Sequence, residues 1–196
     1  MVGRSIETAE FARVAILNES TKQVLMRSFE VSLRALDAIV QSKRGGGALR
    51  GFDEVSSQMR VWSRELHGKL IHLSELSRSA VREVSEYAKS VRQQRLLVGC
   101  QSTRAQDAVA LARRDAEKAE RRLRDRWRGI ALELDDLRQM GMMACVLSRS
   151  AMIEASSASD EQRDSLMNVS REFYDNAEDV LAILQEVIRK TGQAQT

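Results

Sequence analysis

The sequence predicts an all-α protein, built from long antiparallel helical hairpins that form a four-helix coiled-coil bundle. Three observations point there. None of the 196 residues is proline, the residue that removes a backbone donor and breaks helices. Hydrophobic residues make up 43% of the chain but aromatic residues only 4%, so the apolar content suits a thin bundle better than a thick globular core. Apolar positions also recur at alternating steps of three and four, the rhythm of a narrow coiled-coil seam.

Helix one is predicted from near Ser5 to Arg44, with Ser5 or Thr8 supplying capping chemistry at its start. Val14, Leu17, Thr21, Val24, Ser28, Val31, Ala35 and Ala38 form its seam. Ile16, Leu25, Phe29, Leu33, Leu36 and Val40 widen the apolar face, which implies contact with more than one neighbouring helix. Gly45, Gly46 and Gly47 follow. Glycine tolerates positive φ and lets a chain leave a helix, so the glycines read as the tip of a hairpin.

Helix two is expected over 49–97, roughly 70 Å long at 1.5 Å per residue. Phe52, Val55, Met59, Trp62, Leu66, Leu73, Leu76 and Ala80 mark its seam. Lys69 falls on a core-type position, where its stem can snorkel outward. Gly99 with Ser102 or Thr103 forms the second turn.

Helix three is expected over 104–157. Val109, Ala112, Ala116, Ala119 and Leu123 open its seam, and a repeated step of four leads to Trp127, Ile130, Leu134, Leu137, Gly141 and Ala144. That step is a stutter, a local change of supercoil. A third turn falls in 155–160. Helix four then runs to about Arg189 through Leu166, Val169, Phe173, Ala177, Val180, Leu184 and Val187. The expected organisation is a first hairpin over 1–98 with its tip near 45–51, a second hairpin over 104–190 packed on it, and a disordered tail over 191–196. Two fifty-residue helices in succession return the third turn to the glycine end.

Evidence for an enzyme is absent from the residue pattern. His67 and His72 are five apart and do not stack on one helix face, so they read as surface residues and not as metal ligands. Cys145 reads as packing, because a free cysteine behaves as a small hydrophobe. The three glycines lack the Gly-Lys-Ser/Thr ending of a phosphate loop. No cofactor is expected. Net charge is +3 with 30% charged residues, too balanced for the basic stripe of a nucleic-acid binder. Arg113 to Arg128 holds eight basic and four acidic residues. It reads first as a solvated face and second as a contact for an anionic partner. The N-terminal stretch lacks the pattern of a signal peptide, no window approaches the roughly twenty apolar residues of a membrane span, and the two cysteines suit reduced thiols. A cytoplasmic protein is expected.

The segment 35–63, ALDAIVQSKRGGGALRGFDEVSSQMRVWS, resembles the signalling tip of bacterial chemoreceptors, the methyl-accepting chemotaxis proteins. Ala35, Leu36, Ala38, Arg44, Gly46, Arg50, Gly51, Phe52, Val55 and Arg60 fall on matching positions of the family pattern without a gap. The resemblance implies a hairpin tip that docks on the chemotaxis coupling adaptor and histidine kinase, or on other chemoreceptors, with a homodimer as a further arrangement. By position it places Val40, Arg44, Arg50, Phe52, Val55 and Met59 at or near the docking surface, and Gly45, Gly46, Gly47 and Gly51 at the turn. Phe52 reads equally as hairpin core. The chain departs from the family at Gly47, Asp37 and Gln41, where the family carries Glu, Asn and Glu. It also lacks a glutamate pair followed by Ala-Ser at the methylation spacing. Ile153-Glu154-Ala155 followed by Arg163 stands at the same spacing as Val40-Gln41-Ser42 and Arg50, a hint of a second copy of the tip. The alternative reading is an oligomerising helical scaffold without kinase coupling.

Overall fold

A computed structural model describes residues 2–44, 50–98 and 103–192, with side chains placed over 8–43, 50–97 and 107–192. It contains four helices: α1 (Val2–Arg44), α2 (Arg50–Val98), α3 (Thr103–Ser156) and α4 (Asp160–Gly192). Each packs along two neighbours, in the order α1, α2, α3, α4 and back to α1, leaving α1 diagonal to α3. The helical periodicity explains this closed arrangement, since an apolar stripe more than two positions wide needs two partners.

Helix limits differ from expectation mainly at the chain ends. α1 is already helical at Val2, so Ser5 and Thr8 lie inside the helix and not at its cap. α4 continues past Arg189 to Gly192, and Thr191 is buried with its hydroxyl bonded to the Val187 carbonyl. The tail expected from 191 therefore contributes two helical residues, while 193–196 lie outside the described residues.

The seam residues of α1 are buried as the spacing requires. In α2 the core position next to Lys69 is Leu70, which is fully buried, whereas Lys69 stands outside and pairs with Glu133 and Asp136 of α3. The reason is periodicity: 56, 63, 70, 77 and 84 form a second buried row at heptad spacing beside 52, 59, 66, 73 and 80. Three members of that second row are serines (Ser56, Ser63 and Ser77), which a search for apolar residues passes over.

Those hydroxyls are mostly satisfied inside the bundle. Ser63 donates to the Ser28 carbonyl of α1, and Ser77 donates to Asn18 at 2.7 Å. Thr21, Ser148 and Ser170 return their protons to carbonyls four residues back. Small side chains bring helices close together, and the returned bonds keep the buried oxygens paired. Near the third turn α1 and α3 supply Ala35, Ala38, Ala151 and Ala155, while α2 and α4 supply Phe52, Met59, Leu166 and Phe173. Small residues on one diagonal make room for large ones on the other, the size alternation a close-packed core needs.

Candidate docking surface at the turn end

α1 and α2 are antiparallel, so the chain reverses between Arg44 and Arg50. Gly45, Gly46 and Gly47, and the side chain of Arg44, lie outside the described residues. Either side of the reversal, Ser42 donates to Asp53 at 3.2 Å and ties the end of α1 to the first turn of α2. The 157–159 turn lies at the same end. Ser165 of α4 donates to Gln41 of α1 at 2.9 Å, and Glu154 of α3 abuts Gly51 of α2. A Cβ on Gly51 would collide with the Glu154 carboxylate. That carboxylate is the end of a flexible side chain, and Gly51 itself sits in regular helix.

The sequence-predicted site residues divide by burial. Arg50 is exposed at the start of α2, and Val40 is 50% exposed on α1. Val55 is half-buried and packs against the core. Phe52 and Met59 are 1% and 0% exposed, so both belong to the interior of the hairpin and present nothing to a partner. Phe52 fills the core just inside the reversal, and Met59 lies two turns further along the same buried row. Of the described residues that the resemblance names, Arg50 and Val40 are the exposed ones.

The suspected second tip has the same pattern of exposure. Ile153, like Val40, is exposed; Glu154 and Gln41 are half-buried; Ala155 and Ser42 are buried; Arg163 and Arg50 are exposed. Arg163 is held by Asp160 at 2.8 Å and by the Ala158 carbonyl at 3.2 Å. Arg50 has no such partner among the described residues.

Further along the bundle lies a cluster that sequence reading did not find. Arg13, 6% exposed, pairs with Glu10 at 3.0 Å and stacks 4.0 Å from the centre of the Trp127 ring. Trp127 donates its indole proton to Glu10 at 2.7 Å, and Arg13 also donates to the Thr191 carbonyl. One network thus clamps α1, α3 and α4 beside a cavity of about 90 Å³. Arg13 and Glu10 are three apart, a spacing common on exposed helices, so only the tertiary partners reveal the clamp.

The charged run of α3 is largely self-neutralised. Arg113 pairs with Glu117 and Arg124 with Glu120, while Arg122 reaches Glu83 and Glu86 on α2. Among the described residues, no group of three His, Cys, Asp or Glu side chains is placed to hold a metal ion. Cys145 is half-buried, and that burial raises its thiol pKa above the ordinary value, against the reactive thiolate form. Among the described residues, no helix is long and apolar enough to cross a membrane. Comparison with protein-family models and with curated proteins found no match for this chain.

Proposed function

We propose that this chain is a non-enzymatic docking rod related to the chemoreceptor signalling hairpin. It engages the chemotaxis coupling adaptor, the histidine kinase or chemoreceptors through the end that carries Val40 and Arg50. The observation that supports this reading is that Arg50 and Val40 are both exposed near the reversal, while Phe52 is buried. Arginine is among the side chains that most often anchor an interface. The test is capture of the protein by immobilised adaptor and kinase. Wild type binds, while Arg50→Glu and Val40→Asp lose at least tenfold in affinity with helicity unchanged. Equal capture of all three, or no capture of wild type, removes the tip from consideration.

A second reading, an oligomerising scaffold without kinase coupling, draws on a different observation. Large apolar side chains stand exposed along the flanks of the rod, away from its end.

A further inference from the structure

The clamp that joins α1, α3 and α4 borders a cavity of about 90 Å³. Trp127, Ile130, Leu134 and Ile188 give it an apolar wall, and Arg13 and Thr191 stand on its polar side. All but half-buried Ile188 are buried. Ala131 of α3 and Gly192 of α4 also line the cavity and are exposed, so it reaches solvent between those two helices.

Arg13 is not fully paired. A guanidinium presents its N–H donors in a fixed fork. Nη1 donates to Glu10 at 3.0 and 3.2 Å, Nη2 donates to the Thr191 carbonyl, and Trp127 covers the flat face of the group. Nε is buried and has no hydrogen-bond partner among the described residues. Both Glu10 oxygens already accept from Nη1, and one of them also accepts the Trp127 indole proton. Buried donors are nearly always paired in native proteins, because leaving one unpaired is costly. An acceptor lodged in the cavity, which Arg13 itself lines, removes that cost.

We propose that the cavity binds a small neutral carbonyl compound, its oxygen accepting from Arg13 Nε and its alkyl body lying against Trp127, Ile130 and Leu134. Each part of that description follows from the wall. Water is held well only where about two to four polar groups surround it, and here the lining offers one free donor among apolar side chains. A single acceptor on an apolar body is the better match, the usual composition of a small-molecule site. An anion is disfavoured, because Glu10 already balances the Arg13 charge at 3.0 Å. Size sets the rest: an apolar cavity of about 150 Å³ holds benzene, so about 90 Å³ takes roughly four or five heavy atoms. This site is separate from Arg50, and the proposal does not depend on docking there.

Titration of the full chain with butanone, followed by proton–nitrogen NMR, tests this. The chain holds two tryptophans. Trp127 lines the cavity, whereas Trp62 sits elsewhere with its indole proton on the Met140 carbonyl. The Trp127 indole signal shifts along a saturating curve and that of Trp62 does not. The Arg13 Nε proton moves downfield, the mark of a new hydrogen bond that cavity filling alone does not give. Propanoate, of similar size but charged, binds at least tenfold more weakly. Ala131→Leu, at an exposed position, fills the mouth and weakens butanone binding at least tenfold with circular dichroism unchanged. A response that never saturates, equal shifts of both indoles, or an unmoved Arg13 proton overturns the proposal. So does propanoate binding as tight as that of butanone, or undiminished binding by Ala131→Leu. Adaptor capture is a separate readout, so failure of either test leaves the other standing.

Discussion

The two ends of this rod are held together by different physics. At the turn end, four helices enclose Phe52, Met59, Leu166 and Phe173, all 1% exposed or less. Toward the other end, α4 is fastened by the polar Arg13–Glu10–Trp127 clamp. Past the clamp and the neighbouring Leu123, the described part of α3 buries only alanines, with Ala112 and Ala116 at 8 and 7% exposure, and Leu96 and Leu111 are 72 and 61% exposed. Burial of large apolar surface stabilises the turn end and continues through Leu66, Leu70, Ile130 and Leu134, the clamp adds geometry-dependent polar contacts beyond them, and little apolar area is available to the last section. The lesson is that one seam repeated along a chain does not give uniform stability, because side-chain size sets how much area each layer removes from water.

The largest effect expected from this contrast is at the turn end. Phe52→Ala or Phe173→Ala should cost about 3–5 kcal/mol, the usual cost of emptying a buried aromatic site, measured by urea unfolding. Next comes the clamp. Arg13→Met leaves half-buried Glu10 without its cation, still accepting from Trp127, and should cost roughly 2 kcal/mol. Adding Glu10→Gln should recover much of it, which an equal loss in the double variant would contradict.

A smaller effect belongs to the alanine section. Ala116→Gly should cost about 1 kcal/mol by helix propensity. Hydrogen exchange should show the amides of 107–118 exchanging faster than those of 52–73, in keeping with local opening where few large apolar groups are buried. Equal protection across the two stretches would erase the comparison.

The smallest effect is electrostatic and lies near the end of α4. Hydrogen bonds from Arg189 and then Lys190 lower the Glu186 pKa from 4.5 to about 2. Its folded pKa lies below the unfolded one, so its contribution is present above the ordinary glutamate range and is lost as pH falls toward about 2. Glu186 is exposed, which keeps that contribution small. Carboxylate titration by NMR in the folded protein reads it directly, and a midpoint near 4.5 would contradict the pairing.

The glycine cluster marked the approach to α2, because a chain with no proline has few other places to turn. The Arg50-Gly51-Phe52 run could not say that Phe52 and Met59 face inward while Val40 faces outward. Motif position and burial are independent, and burial depends on which neighbours arrive. The widened face of α1 was also legible, and its expected contact with more than one helix is met by α2 and α4. α2 and α4 cover its buried seam, while Phe29, Leu33 and Val40 remain uncovered within one molecule.

The sequence by itself determined the helices, their approximate limits and the all-α class, since proline, glycine and apolar spacing act locally along the chain. Tertiary structure alone decided that Leu70 and not Lys69 enters the core, that buried serines line the second row of α2, and that Arg13 meets Trp127 and Thr191. The physical reason is that a helix presents a continuous range of faces. Only the arrival of two packed neighbours fixes which of them leaves water.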